Sequence, residues 1–155
     1  RTEAALAMAD LLRRMGVDRP RIAVLSATES QLPGMHSSIE AAEIAAAAAS
    51  SDQGAAFAGP LSLDLALSPE SVVIKGIDPD SRDGGVAGYA DGLIVPDIVS
   101  GNVLFKSLAY CAGALAAGVV LGGTVPIMLT SRSDPAAARL ASLALAAIAA
   151  QEDQT

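Results

Sequence analysis

The segment PIMLTSRSDPAAARL, residues 126–140, joins three patterns that together indicate an α/β fold. An apolar run predicts a buried strand that ends at Leu129, five polar residues follow it, and an alanine-rich stretch then opens with Pro135. Proline suits the first position of a helix, and serine or aspartate suits the capping position before it. A strand, a short polar loop and a helix in succession form the repeating unit of α/β proteins.

The same alternation of short apolar runs and helical periodicity extends over the whole chain. We therefore predict an α/β protein with a mixed, mostly parallel sheet flanked by helices, without internal repeats or a dividing linker. A loop rich in aspartate and glycine, from Gly76 to Gly88, is expected to be mobile. Helices are predicted at about 2–15, 37–49, 61–74 with a break at Pro69, 100–112 and 135–150, and buried strands at 21–25, 55–58 ending at Gly59-Pro60, 92–95, 119–121 and 125–129.

Composition limits the classes of function. The chain of 155 residues fits one domain with its own core. Its net charge of −7, from 17 acidic and 10 basic residues, argues against a nucleic-acid surface or an anionic-membrane anchor, so an anion could bind only at a local site. The single cysteine, Cys111, allows no internal disulfide and is typical of a reducing, cytoplasmic setting. No Cys/His spacing predicts a metal site.

The polar residues at 130–134 follow a strand and precede a helix. Ligands of open α/β sheets bind where strands end, and the amides and dipole of a following helix favour an anion. Arg132 offers a forked donor that suits phosphate, while Ser133 or Asp134 could cap the helix. This pattern predicts an oxyanion or phosphate site that includes Thr130. Considered by itself, the pattern is explained better by ordinary helix capping beside a solvated arginine, because such caps are far commoner than binding sites.

A second junction of this kind is LIVPDIVSGNVLFK, residues 93–106. Asp97 leaves a predicted strand, Gly101 allows close backbone approach, Asn102 can cap or donate, and Lys106 follows one turn later. The structural alternative is a helix capped by Ser100 with a surface lysine. Two such junctions in one domain favour a ligand cleft.

Other residues of types that are often catalytic or metal-binding are weaker candidates for a functional site. The only histidine, His36, lies in a predicted turn without an evident partner, so a turn or cap residue fits it better than a general base. Cys111 lies on an apolar helix and is expected to be a small core residue. The acids Asp78, Asp80 and Asp83 lack the spacing of a calcium loop.

Four stretches, taken in order, resemble the phosphate acetyl/butyryl transferases, also called phosphotransacetylases and phosphate butyryltransferases. The opening helix and RIAVLSATES fit the same family, so the resemblance covers nearly the whole chain. Its most specific part is PD-x-x-x-GN-x-x-x-K followed by G-x-V-P-I-x-L-TSR. The four stretches are GPLSLDLALS (59–68), VAGYADGLIVPDIVSGNVLFKSLAY (86–110), AGVVLGGTVPIMLTSRSD (117–134) and LASLALAAIAA (140–150).

The resemblance implies a function and a set of roles. Members of the family transfer an acyl group reversibly between an acyl phosphate and the thiol of coenzyme A, need no tightly bound cofactor or metal, and are usually dimers. Their two-domain fold is related to that of the isocitrate dehydrogenases, with the active site between the domains. By this resemblance Ser131 assists the thiol and Arg132 binds the phosphoryl group. The residues that would line the same cleft are Asp97, Gly101, Asn102 and Lys106.

Two departures from the family pattern qualify this assignment. Acetyl-transferring members resemble one another in an aspartate seven positions after the motif serine, the proposed thiol base, and Ala138 stands there instead. Butyryl-type members are similar to this chain around TSR-x-D, which favours a longer acyl group. The family also has an N-terminal domain that nothing here matches. We therefore expect residues 1–155 to be the C-terminal domain of a longer protein, with little activity alone.

Two other classes of function fit the same sequence. Domains resembling this one occur behind malic enzymes, so the chain could be a non-catalytic regulatory domain that senses acyl-CoA. It could also be a scaffold whose alanine-rich helices support a dimer interface. Malic-enzyme sequence in the same gene would favour the sensor.

Overall fold

The computed structural model describes residues 1–77, 84–132 and 134–151. It divides into two compact units, Arg1–Ile98 (unit 1) and Val99–Thr155 (unit 2), which are described separately below. Residues 78–83 of the predicted loop from Gly76 to Gly88 lie outside the described residues, and so does Ser133.

Unit 1 is an α/β layer built on a parallel sheet, which confirms the predicted fold class. The sheet has three strands in the order β2-β1-β3, and β1 pairs in parallel with both neighbours. Parallel neighbours require the chain to cross over between strands, and helices supply the crossovers. The elements are α1 (Thr2–Arg14), β1 (Arg21–Leu25), α2 (His36–Ser51), β2 (Ala56–Leu61), α3 (Leu63–Leu67), α4 (Pro69–Ile74) and β3 (Gly92–Ile94).

The core of unit 1 forms where α1 and α2 pack against the central strand. Ile22 and Val24 of β1 are fully buried, as are Ala5 and Ala9 of α1. Small side chains permit a close approach between layers. A Cβ atom on Gly59 would lie 2.9 Å from the Ala41 carbonyl oxygen, so glycine is required where α2 crosses β2.

The break in the third helical segment occurs where the sequence predicts it. Ser68 caps α4, because its Oγ accepts a hydrogen bond from the Ser71 amide at 3.1 Å, and Pro69 is the first helical residue. Strand β2, in contrast, does not stop at Gly59-Pro60 as predicted. It continues through that cis peptide bond to Leu61.

An ion pair fixes the register at the start of β3. The Arg21 guanidinium donates from Nε to Asp91 Oδ2 and from Nη2 to Asp91 Oδ1, both at 3.0 Å. The Arg21 amide donates to the same carboxylate at 3.0 Å, and the Asp91 amide donates to the Arg21 carbonyl at 2.8 Å. The hydrogen bond from the Arg21 side chain is the main reason that the pKa of Asp91 lies below its ordinary value.

Unit 2 contains a long helix, a β-hairpin and a final helix. These are α5 (Ile98–Cys111), β4 (Gly118–Val120), β5 (Ile127–Leu129) and α6 (Ala136–Ala149). Strands β4 and β5 pair antiparallel in a sheet of their own, with Gly118 opposite Leu129. A Cβ atom on Gly118 would lie 2.9 Å from the Leu129 carbonyl oxygen, so this register depends on glycine.

The prediction that these two strands are buried is wrong. All three residues of β5 are exposed, and Ala138 and Ser142 are the only buried residues between 99 and 151 in the part of the chain that the structure describes. The apolar sequence correctly indicates strands, but burial depends on what covers them. Ser142 Oγ accepts from the Gly118 amide at 3.0 Å and donates to the Ala138 carbonyl at 2.9 Å, so this hydroxyl ties α6 to the hairpin.

The uncharged run from residue 107 to 131 is divided among the end of α5, the hairpin and the loops around them. Across the described ranges, no helix has both the length and the apolar character needed to cross a bilayer.

Candidate active site

Ser131 and Asp134 close a turn directly after β5. The Ser131 amide donates to Asp134 Oδ2 at 2.5 Å, and the Asp134 amide donates back to the Ser131 carbonyl at 3.1 Å. These reciprocal hydrogen bonds fix the backbone of Ser131 relative to α6. Arg132 lies within the turn and is exposed, so its guanidinium is accessible to a ligand, while Thr130 is half-buried.

Asp134 does not cap α6, contrary to the sequence prediction. Pro135 occupies the N-cap position with φ −67° and ψ 163°, and no side chain caps the helix. A carboxylate can satisfy either the amides of a helix or those of the preceding turn, and here it serves the turn. Ser133, the other predicted cap, lies outside the described residues.

The second junction also differs from its prediction in detail. Helix α5 begins at Ile98, so Ser100 and Asn102 lie within its first two turns rather than at a cap. Gly101 and Lys106 are half-buried, and Asn102 is exposed. Asp97 is an exposed residue of unit 1, immediately before α5 in the chain.

The Lys106 side chain lies near two aromatic rings of its own helix. Its Nζ is 5.5 Å from the centroid of the Phe105 ring and 5.7 Å from that of Tyr110. At these distances a cation is attracted to the ring faces. The contacts therefore favour an ordered ammonium group rather than a freely moving surface lysine.

A cavity of about 170 Å³ brings the two junctions together within unit 2. Lys106 of the second junction and Asp134 of the first both line it, and so does Ala138 in the first turn of α6. Among the described candidates of the two junctions, those that do not line this cavity are Asp97, Gly101, Asn102, Thr130, Ser131 and Arg132.

The charge of this part of the sequence is balanced, unlike that of the chain as a whole. Residues 1–98 contain 14 acidic and seven basic residues, whereas residues 99–155 contain three of each. The basic residues of the second set are Lys106, Arg132 and Arg139, and the acids are Asp134, Glu152 and Asp153. An anion is therefore repelled less by this segment than by the rest of an acidic protein.

The two isolated candidates, His36 and Cys111, have no place in this arrangement. His36 is the first residue of α2 and is highly exposed, with Nε2 3.5 Å from Glu40 Oε1. Cys111 ends α5 and is exposed, so its predicted place in a core is wrong. Within the ranges that the structure covers, no group of three or more His, Cys, Asp or Glu residues is arranged to hold a metal ion.

Sequence reasoning missed an ion-pair network where β1 and β2 end in unit 1. Lys75 Nζ lies 3.0 Å from both Glu29 Oε1 and Asp64 Oδ2, and Ser62 Oγ donates to Glu29 Oε1 at 2.5 Å. Hydrogen bonds from Ser62 and then Lys75 lower the pKa of Asp64 to about 2. Along the chain, 33 residues separate Glu29 from Ser62, 2 separate Ser62 from Asp64, and 11 separate Asp64 from Lys75. No local motif could therefore have indicated the network. These partners satisfy one another, and the network connects the loop after β1 to α3 and α4.

The fold and the turn define the class of protein: an α/β chain with a parallel sheet and, in unit 2, a hydroxyl-rich turn that carries an exposed arginine beside a small cavity. The family follows from comparison with known proteins. A model of the phosphate acetyl/butaryl transferases matches residues 2–148, and the chain belongs to this family. It is 44% identical over 140 residues to a phosphate acetyltransferase of Rhizobium meliloti, covering 90% of the chain and 43% of that protein. It is 36% identical to a phosphate butyryltransferase of Clostridium acetobutylicum, covering 88% of the chain and 44% of that protein.

A solved structure supports the same relationship. A branched-chain phosphotransacylase from Enterococcus faecalis superposes with a TM-score of 0.84 at 38% identity, over 97% of this chain and 54% of that one. The chain thus spans less than half the length of the two curated relatives and about half of this structural neighbour.

Proposed function

We propose that the protein containing this chain is a phosphate acyltransferase. It would transfer an acyl group of the acetyl or butyryl type reversibly between an acyl phosphate and coenzyme A. The observation that carries this proposal is the closed turn at 130–134, which holds the Ser131 backbone through Asp134 and leaves Arg132 exposed. The names of the relatives support the same reaction class.

The reaction assigns a role to each residue of the turn. The sulfur of coenzyme A bonds to the acyl carbonyl carbon, and the bond from that carbon to the phosphate oxygen breaks with its electron pair leaving on inorganic phosphate. The thiol proton passes to a base or to solvent. Arg132 binds the phosphoryl oxygens and stabilises the charge that develops on them, while the Ser131 hydroxyl hydrogen-bonds to the thiol.

The remaining predicted residues bind and orient the substrates in this proposal. Lys106 adds a second positive charge, and the Ala138 side chain, which is only 2% exposed, contributes no acid–base group. The thiol base is therefore not at position 138. The substrate-binding set is Asp97, Gly101, Asn102, Lys106, Thr130, Ser133 and Asp134, with coenzyme A, acyl-CoA, acyl phosphate and phosphate as ligands and no tightly bound cofactor.

The sparse burial in unit 2 supports a larger assembly. Large apolar side chains lie exposed on both of its helices, including Val103, Tyr110 and Leu140, with exposed fractions of 61%, 72% and 68%. Large apolar side chains exposed in this number are typical of an interaction site. We assign residues 1–155 to the C-terminal part of a longer cytoplasmic protein, in which an N-terminal domain and a second copy in a homodimer cover this surface.

The test uses the full-length natural polypeptide that contains this chain. Loss of the coenzyme A thiol is followed with acetyl phosphate and butyryl phosphate for the wild type and for Arg132→Ala. Arg139→Ala is the matched control, because Arg139 is an exposed arginine on α6 outside the proposed site. Removing a positioned donor to the developing charge lowers kcat on the order of 100-fold or more, whereas the control should stay within about threefold.

Other outcomes would replace the proposal. Acyl-CoA binding without turnover in the wild type would establish the regulatory alternative. Equal effects of the two arginine substitutions would remove Arg132 from the site. Sedimentation of the same polypeptide as a monomer at micromolar concentration would refute the homodimer.

A further inference from the structure

We propose that the cavity between α5 and the first turn of α6 holds the acyl chain of the substrate and favours chains of about four to five carbons over acetyl. This inference rests on the proposed acyl transfer and assigns the part of the site that selects the acyl group. It is carried by the chemistry of the cavity's walls, by its size and by its connection to the turn at 130–134.

The cavity has one polar part and otherwise apolar walls. Its polar groups are Lys106, Asp134 and the hydroxyl of Tyr110, and every other side chain that lines it is hydrocarbon. Leu115 and the aromatic rings supply large apolar surface, and alanines such as Ala138 leave the space open. A site that is mostly apolar with a few converging polar groups suits a ligand with a polar head and a hydrocarbon tail.

The cavity is too large to be filled by an acetyl group alone. Its volume of about 170 Å³ compares with an apolar cavity of about 150 Å³ that binds benzene, a six-carbon ligand. A single methyl group would leave most of this space to water, whereas a linear or branched chain of four to five carbons would fill it. Each added methylene that reaches the apolar walls should then raise kcat/KM by about fourfold, up to the capacity of the cavity.

Asp134 connects the cavity to the turn that carries the proposed catalytic residues. Its carboxylate lines the cavity and also accepts the hydrogen bond from the Ser131 amide at 2.5 Å. A chain that lies against Leu115 and Ala138 can therefore place its carbonyl end toward this turn. The polar end of the cavity thus lies at the turn and its apolar end at Leu115 and Ala138. An acyl phosphate has the same arrangement, with a polar carbonyl at one end of the acyl group and hydrocarbon at the other.

The experiment compares acyl-chain profiles in the full-length natural polypeptide. The value of kcat/KM is measured for acetyl, propionyl, butyryl and isovaleryl phosphate at saturating coenzyme A. The wild type should favour butyryl over acetyl phosphate by roughly 16-fold, as expected for two buried methylenes at about fourfold each. Ala138→Leu fills the cavity and should lower this ratio at least fivefold. Ala137→Leu is the matched control, because Ala137 lies one position away on α6, is exposed, and should keep the wild-type ratio.

A second variant keeps the test decisive if Ala138→Leu fails to fold. Leu115→Ala removes an apolar wall at a residue that is 63% exposed, so folding should persist while the butyryl-to-acetyl ratio falls about threefold or more. A ratio that both variants leave unchanged, in an active enzyme, would refute the acyl pocket alone. A rise in KM for coenzyme A that is equal for all acyl groups would assign the cavity to the pantetheine arm instead. Absence of turnover with every acyl phosphate would refute the proposed function, and the acyl pocket with it.

Discussion

Replacing Asp134 tests the idea that its carboxylate positions Ser131 rather than acting as the thiol base. In the structure the carboxylate accepts one charge-assisted hydrogen bond from the Ser131 amide, at 2.5 Å in a largely solvated turn. A hydrogen bond to a charged group contributes about 1.5–3 kcal/mol, and solvent screening reduces this to about 1 kcal/mol. If that energy orients Ser131, Asp134→Ala should lower kcat about fivefold, because 1.36 kcal/mol corresponds to a factor of ten.

Asp134→Asn supplies the matched comparison, because the amide oxygen can accept the same hydrogen bond without the charge. It should lower kcat only about twofold, and both variants should affect acetyl and butyryl phosphate equally. The assay is loss of the coenzyme A thiol between pH 6 and pH 9. A fall of 100-fold or more in both variants, with loss of the acidic limb of the pH profile, would show that Asp134 is a general base. Unchanged kcat in Asp134→Ala would show that the turn needs no carboxylate.

Two further predictions concern the contacts that hold each unit together. Asp91→Ala should lower the free energy of unfolding by about 1 kcal/mol at pH 7, because it removes the hydrogen bonds to Arg21 in a partly exposed pair. Since the pKa of Asp91 is lowered in the folded state, this contribution is present above the unfolded pKa near 4 and is lost as the pH falls through the folded pKa. The difference in thermal midpoint between variant and wild type should therefore shrink below pH 4, and a constant difference would contradict the assignment. Gly118→Ala should destabilise the hairpin by about 1–3 kcal/mol through the contact with the Leu129 carbonyl, whereas Gly123→Ala, with its nearest contact at 3.6 Å, should not. Amide hydrogen exchange of the hairpin measures the effect of both glycine substitutions, and equal exchange rates in the two variants would refute the steric argument.

The elements that sequence patterns predicted correctly are those specified by neighbouring residues. The periodicity of α1, the apolar run of β1 and the break at Pro69 each depend on local backbone preference and on one buried face, and the structure confirms all three. The motif residues around Ser131 also led to the correct family. Their catalytic and binding roles remain proposals.

Predictions failed where the outcome depended on residues distant in the sequence. Strand β5 and Cys111 were expected to be buried because they are apolar, yet nothing in their own sequence determines which surface covers them. Asp134 was one of two residues expected to cap α6, because local spacing cannot distinguish a helix amide from the Ser131 amide as its partner.

The amino-acid sequence by itself determined the α/β class, the order of helices and strands, and the family, because periodicity and motif spacing are properties of short segments. Only the tertiary structure placed Lys106 and Asp134 around one cavity and joined Glu29, Asp64 and Lys75 into a network. These groups are separated by 11 to 46 residues in the chain. Contacts over such distances depend on how helices and strands pack, which no local pattern encodes.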